Sequence, residues 1–235
     1  MVNNWLKFTQ AFLFPGICLV CGRNSGSGRD LCHACAGELP RNTSPCRCCA
    51  LPLPAGPGPG TLCGACQKSA PPYTRVTAPW LYEGHVRTLH HAFKFERKLA
   101  AGRLLSELLA DTIETAGEAR PQLLIPVPLH PSRVRERGFN QAAELARTLS
   151  RRLDIPTDPF CMQRHKATAP QSGLNRQQRS RNIRNAFAIQ GRLEVAHVAL
   201  VDDVMTTGMT IEQAAKTLQR CGVGRIDAWV VARRP

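Results

Sequence analysis

No run in this sequence is apolar for long enough to cross a bilayer as a helix. The N-terminal apolar stretch from Ala11 to Val20 is broken by Pro15-Gly16, and no small-residue cleavage site marks it as a secretory leader, so a cytoplasmic protein without a membrane span is expected. The two better-known phosphate loops are missing as well. No lysine follows Gly208 as a Walker loop requires, no G-x-G-x-x-G follows a strand, and the run from Gly56 to Gly60 has neither a strand before it nor enough N–H donors. Aromatic residues make up only 6% of the chain, too few to suggest a dedicated stacking platform for single strands. Acidic residues are scarce too: 17 Asp/Glu stand against 31 Lys/Arg, a formal charge of +14. Such a field attracts phosphate-rich partners, small molecules or nucleic acid alike. More than half of the excess lies between His130 and Glu194, where 13 Lys/Arg face 5 Asp/Glu.

What is present includes an ordinary 43% of hydrophobic residues over 235 positions, enough for one substantial domain and a small one. Of the 11 cysteines, nine fall in the first 66 residues. They form four CxxC knuckles: Cys18/Cys21, Cys32/Cys35, Cys46/Cys49 and Cys63/Cys66. A CxxC turn aims two thiolates at one tetrahedral ion, and two knuckles close a structural site, so eight thiolates predict two zinc ions. Sequential and interleaved pairing of the knuckles both satisfy the spacing. Cys48 is the odd thiol, and Cys49 is preferred as ligand because it keeps the two-residue spacing. A thiol-disulfide centre is the competing reading, but four repeated knuckles without a thioredoxin-like βαβ pattern favour metal. His33 lies inside a knuckle and reads as a bystander. Prolines from Pro52 to Pro59 and at Pro71-Pro72 interrupt regular structure, which predicts a cysteine-rich double zinc-ribbon-like domain over 1–72 and a second domain over 73–235.

The second domain is organised around HVALVDDVMTTGMTI, His197 to Ile211. Val198 to Val201 is a short β-branched-rich run of the kind that forms a buried strand, and polarity then flips to Asp202 and Asp203. Thr206, Thr207, Gly208 and Thr210 follow, and Ile211, Ala214, Ala215 and Leu218 repeat at helical spacing until Cys221-Gly222. Free N–H groups at a helix start, threonine hydroxyls and a glycine together suit a phosphate monoester. Two carboxylates beside it would repel that phosphate unless they faced ribose hydroxyls or a hydrated Mg2+.

Upstream, Val76 to Tyr82 reads as a strand and His85 to Thr115 as one broken or two successive helices, carrying Lys94. Leu123 to Leu129 is a strand whose two prolines confine it to an edge or an end. It leads into a basic loop, His130 to Gln141, with Arg133 and Arg137, opening onto a helix with the stripe Ala142, Leu145, Ala146 and Leu149. Arginine forks and free helix N–H groups suit a pyrophosphate, although a solvated basic turn would look the same. A further cationic stretch, Gln171 to Arg184, suits a lid over phosphates or a nucleic-acid backbone. Ile226 to Val231 is the closing strand.

VDDVMTTGMT resembles the signature by which type I phosphoribosyltransferases bind 5-phosphoribosyl 1-pyrophosphate (PRPP). With LFPGICLVCG, CRCCALPL, PVPLHPSRVRERGFNQA and QSGLNRQQRSRNIRNAF in this order, the chain looks like the ComF family over nearly its whole length. The resemblance implies an α/β fold: a type I phosphoribosyltransferase-like, mainly parallel sheet flanked by helices, with a small N-terminal zinc-ribbon-like element. It implies that Asp202 and Asp203 take the ribose hydroxyls and that Thr206, Thr207, Gly208, Met209 and Thr210 take the 5-phosphate, with Val204 and Met205 completing the substrate-binding stretch. Lys94, Arg133 and Arg137 would face pyrophosphate as the catalytic cations, and Gln171, Arg179 and Asn182 would lie on the segment that closes over the site. The cofactors implied are Mg2+ with PRPP and structural zinc. The family's association with competence and the use of external DNA implies single-stranded DNA and DNA-processing proteins as partners, by analogy only. No general base stands out, and no residue specifies a purine or a pyrimidine. Three expectations therefore stand together: a phosphoribosyltransferase of unidentified acceptor, a PRPP sensor without turnover, and a single-strand-binding zinc protein.

Overall fold

The computed structural model describes residues 16–26, 28–54, 58, 60–165 and 185–235. Two short helices, α1 (His33–Gly37) and α2 (Gly64–Lys68), follow cysteine turns in the N-terminal part. The remainder runs β1 (Arg75–Thr77), β2 (Trp80–Leu81), α3 (Gly84–Phe95), α4 (Leu99–Ala116), β3 (Leu123–Pro126), α5 (Pro131–Arg137), α6 (Gln141–Leu153), β4 (Met162–Arg164), β5 (Phe187–Ile189), β6 (His197–Met205), α7 (Met209–Arg220) and β7 (Arg225–Arg233).

Five strands form one parallel sheet in the order β1-β7-β6-β3, with β2 pairing further along β7. The expected single strand from Val76 to Tyr82 is thus two, and the gap between them falls at Ala78-Pro79, where proline offers no N–H. The helical segment after His85 is likewise two helices, broken where Arg97 adopts a left-handed φ of 56°. β3 lies at the sheet edge, as its prolines require. β4 and β5 form a separate antiparallel ribbon.

Both faces of the central strands are buried, so their residues alternate between two apolar layers rather than between core and water. Val198, Leu200, Ile226, Ala228 and Val230 pack with Ile211, Ala214, Ala215 and Leu218 of α7. Ala199, Val201, Trp229 and Val231 pack on the other side with α3, α4 and α6 through Leu89, Phe93, Leu105, Leu109, Leu145 and Leu149. Each of these fully buried leucines contributes on the order of 2 kcal/mol by leaving water. The cysteine-rich segment divides between the layers: Cys18 and Cys35 join the α3–α4–α6 side, and Cys46, Cys49 and Cys63 join the α7 side.

β6 is longer than its apolar run. It continues through Asp202 and Asp203 to Met205, because β7 keeps pairing with it as far as the register Met205↔Arg233. β3 does not: its last register pair is Pro126↔Val201. From Asp202 onward β6 therefore has a neighbour on one side only. The crevice beyond β3 is where open parallel sheets hold ligands, past the carboxyl ends of their strands.

Candidate active site

A cavity of about 680 Å³ occupies that crevice, within the size range of small-molecule sites. Asp203 is its most tightly held group. Its Oδ2 lies 2.9 Å from His90 Nε2 and accepts from Lys94 Nζ at 3.2 Å, while its Oδ1 accepts from the Val204 N–H at 2.7 Å. His90 is almost fully buried, and its Nδ1 lies 3.1 Å from the Tyr82 hydroxyl, so Tyr82, His90 and Asp203 form one chain. His90 and Lys94 are four residues apart and share one face of α3. Burial opposes ionisation of Asp203, but the Lys94 ammonium and the His90 hydrogen bond outweigh it and hold the carboxyl well below the usual range. Asp202 behaves oppositely: burial and then the Asp203 charge push its carboxyl up. Two adjacent carboxyls thus differ in proton affinity, with Asp203 the fixed anion.

The loop between β6 and α7 forms the next wall. Gly208 stands before α7 with a left-handed φ of 79°, and no side chain caps the helix. The N–H groups of the first turn are therefore open to an anion, with the helix dipole in its favour. Thr206, Thr207, Gly208 and Thr210 line the cavity, as do Val204 and Met205. Met209 does not; its side chain is buried in the core, and α7 begins at its backbone.

The opposite wall is cationic. The expected loop after His130 is in part the helix α5, started by Pro131 at its first turn and by a Ser132 N–H to His130 Nδ1 bond of 3.3 Å. It carries Arg133, paired with Glu136 at 2.7 Å, and Arg137, whose Nη1 donates to Gln141 Oε1 at 3.2 Å. Asn140 caps α6 by accepting from the Ala142 N–H at 3.1 Å. Gln141 is buried, and its Nε2 has no hydrogen-bond partner among the described residues. Arg164, at the end of β4, feels both Asp202 and Arg133. In all, Lys94, Arg97, Arg133, Arg137, Arg164 and Arg234 line the cavity against Asp202, Asp203 and Glu136. That balance suits a ligand with several negative charges and a polar middle.

The structure therefore brings Lys94, Arg133 and Arg137 together with the acidic pair and the threonine loop, from three separate elements. Gln171, Arg179 and Asn182 lie outside the described residues. Sequence reasoning missed Tyr82, His90, Gln141 and Arg164. His90 had a signal, its four-residue spacing from Lys94; Tyr82 had none, because only the end of β2 brings it there.

The eight knuckle cysteines gather into two groups, Cys18/Cys21/Cys32/Cys35 and Cys46/Cys49/Cys63/Cys66, with the four sulfurs of each group within 4.8 Å of one another. Neighbouring knuckles are paired, and Cys49 rather than Cys48 completes the second group. Cys21 Sγ to Cys32 Sγ is 3.8 Å and Cys49 Sγ to Cys63 Sγ is 3.6 Å. A zinc tetrathiolate with bonds of about 2.3 Å has edges of about 3.8 Å, so both sets fit zinc. The Cys63 N–H donates to Cys46 Sγ at 3.2 Å, as suits a thiolate. His33 belongs to neither group.

Residues 9–67 match the double zinc ribbon domain family, and residues 136–235 match the phosphoribosyl transferase domain family. The DNA utilization protein YhgH of Escherichia coli is 33% identical over 222 residues, which covers 93% of this chain and 90% of that protein. Competence protein F of Haemophilus influenzae is 36% identical over 178 residues, 73% of this chain and 78% of that protein. Competence protein ComFC of Streptococcus pneumoniae is 24% identical over 176 residues, 74% of this chain and 76% of that protein.

Proposed function

The chain belongs to the ComF/YhgH family, a double zinc ribbon followed by a phosphoribosyltransferase domain, and from that premise we propose that it binds Mg2+-PRPP in the cavity beyond β3. The observation that carries this reading is the convergence on one cavity of an ionised Asp203, an uncapped helix N-terminus after Gly208 and the cations Lys94, Arg133 and Arg137. The open amides of α7 and the hydroxyls of Thr206, Thr207 and Thr210 take the 5-phosphate, and the acidic pair accepts from the ribose hydroxyls. Lys94, Arg133 and Arg137 lie towards the pyrophosphate. Gln171, Arg179 and Asn182 belong to the segment that closes over it.

Transfer follows from what those cations do. As the C1–O bond breaks, negative charge moves onto the departing pyrophosphate, and fixed cations stabilise the transition state more than the ground state. Bound Mg2+ would neutralise further pyrophosphate charge, with Asp202 and Asp203 as the carboxylates in reach of it. The acceptor's electron pair forms the new bond to C1, and the acceptor's proton leaves with solvent or pyrophosphate. The division into a zinc element over 1–72 and a transferase domain over 73–235, and a cytoplasmic location, belong to this reading. No helix among the described residues is long and apolar enough to cross a membrane.

Saturable binding of labelled PRPP with Mg2+, weakened at least about tenfold in an Asp202→Asn/Asp203→Asn variant, is the expected result of equilibrium dialysis. Equal affinity in the variant would overturn the site. Pyrophosphate release on adding an acceptor separates a transferase from a sensor that binds PRPP without turnover.

A second reading rests on the charge of +14 and on the relatives' names, which speak of DNA utilization and competence. The chain binds single-stranded DNA through its basic segments and works beside DNA-processing proteins. Affinity should then fall steeply with ionic strength, and binding indifferent to salt would remove this reading.

A further inference from the structure

Arg233, the last residue of β7, is a charged side chain only 5% exposed. Its Nε donates to the Cys49 carbonyl at 3.2 Å. Its Nη1 donates to the carbonyls of Met205, at 2.9 Å, of Thr206, and of Arg234, at 2.7 Å. Cys49 belongs to the second cysteine group, while Met205 and Thr206 open the loop that leads into α7. One buried guanidinium therefore ties a metal knuckle to the phosphate loop. A buried charge is tolerated only while its donors are satisfied, so displacing one carbonyl disturbs the others.

Two more contacts run the same way. The Val76 N–H donates to the Cys48 carbonyl at 2.8 Å, fixing the knuckle to β1. The space behind Gly208 is closed by Met205 and Tyr73: a Cβ there would lie 2.5 Å from Met205 Cε and 4.0 Å from the Tyr73 hydroxyl oxygen. Tyr73 and Met205 share an apolar cluster with Cys46, Cys49 and Cys63. The first cysteine group has different neighbours. Among the described residues its segment makes ion pairs from Arg29 to Asp111, from Asp30 to Arg103 and from Glu38 to His85, and none of these six lines the cavity; what it shares with the cavity wall is apolar packing near Tyr82 and Val204.

Resting on the reading of the β6–α7 loop as the phosphate site, we infer that the second cysteine group, acting through Arg233 as a positioning residue, holds that loop in its binding shape. Zinc at this group and a phosphate ester at the loop therefore raise each other's affinity, and zinc at the first group is indifferent to the ligand. The coupling is reciprocal by thermodynamic necessity.

The test uses the full zinc-loaded chain. Chelator-driven zinc release, followed with a chromogenic chelator, should show one phase slowed about tenfold by saturating Mg2+-PRPP and one phase unchanged. A Cys21→Ser chain, with its first group opened at an exposed thiolate, should keep the slowed phase alone. Independently of any ligand, amide hydrogen exchange over residues 205–210 should rise about tenfold in Arg233→Met with both zinc ions still counted by metal analysis, and less in Arg233→Lys. If exchange responds but the wild-type chain binds no Mg2+-PRPP, the phosphate reading fails while the knuckle-to-loop coupling stands. If Mg2+-PRPP binds yet slows neither phase, and exchange in both Arg233 variants matches wild type, the inference is overturned. Should Arg233→Met fail to fold, Arg233→Lys and the wild-type release curves decide.

Discussion

The first cysteine group sits on the α3–α4–α6 side of the sheet, beside ion pairs that are partly open to solvent, whereas the second sits on the α7 side, its segment bonded to β1 through the Cys48 carbonyl and, through the Arg233 side chain of β7, to the β6–α7 loop. Both offer four thiolates at tetrahedral spacing. The contrast teaches that ligand chemistry fixes what a knuckle binds, while packing fixes what its occupancy controls. A knuckle whose segment is anchored by partly exposed ion pairs can be lost at a cost in stability alone. A knuckle whose carbonyl shares an arginine with the site cannot.

The largest effect should come from emptying each group in turn. A structural zinc supplies on the order of 10 kcal/mol of apparent binding free energy to its fold, so Cys46→Ser and Cys18→Ser should each lower the melting temperature and each lose one zinc by metal analysis. Only Cys46→Ser should abolish Mg2+-PRPP binding, with Cys18→Ser within about threefold of wild type by calorimetry. Equal losses in both would erase the comparison.

Next in size is a pH dependence peculiar to the site. Asp202 keeps its proton to unusually high pH in the free protein, because burial and the neighbouring Asp203 charge raise it. A Mg2+-PRPP complex that needs both carboxylates ionised must expel that proton, so affinity rises with pH, by at most tenfold per unit, up to about pH 8 and levels off above it. Asp203, held low by Lys94 and His90, adds no such slope there. Calorimetry in buffers of different ionisation enthalpy should show proton release in wild type and in Cys18→Ser alike, and none in Asp202→Asn.

A matched pair of glycines sharpens the contrast. Gly22 beside the first group has a φ of 73° and Gly208 one of 79°, so an alanine at either position costs about 1 kcal/mol of stability. Gly208→Ala must also move Met205 and should weaken Mg2+-PRPP about tenfold, whereas Gly22→Ala, with nothing near its Cβ, should leave affinity unchanged. The smallest effect belongs to the exposed anchors. Asp111 accepts from Arg29 and Arg152, and Asp111→Ala should cost about 1 kcal/mol in denaturant unfolding at low salt and less at high salt, without touching binding.

How much of this was legible in the sequence depended on whether a feature was local. The apolar run before Asp202, the stripe from Ile211 to Leu218 and the CxxC spacing are local patterns, and β6, α7 and the two cysteine groups follow them. The extension of β6 to Met205 was hidden, because acidic residues end the apolar signal while β7 continues to pair. The choice between sequential and interleaved knuckles was hidden because spacing alone allows both. Arg233 was the least visible. It lies beyond the apolar run from Ile226 to Val231 that marks the strand, and only the fold surrounds it with the carbonyls of Cys49, Met205 and Thr206. Tyr82 was invisible for a similar reason, since its partner His90 lies on a different element.

The most direct measurement of the central claim is a calorimetric competition on the zinc-loaded chain among Mg2+-PRPP, ribose 5-phosphate and pyrophosphate with Mg2+. If one end of the cavity takes the 5-phosphate and ribose and the other takes the pyrophosphate, each fragment binds, the two do not exclude one another, and Mg2+-PRPP displaces both with an affinity above either. Absence of heat and of displacement with all three ligands, in protein shown to be folded and to carry two zinc ions, would contradict it.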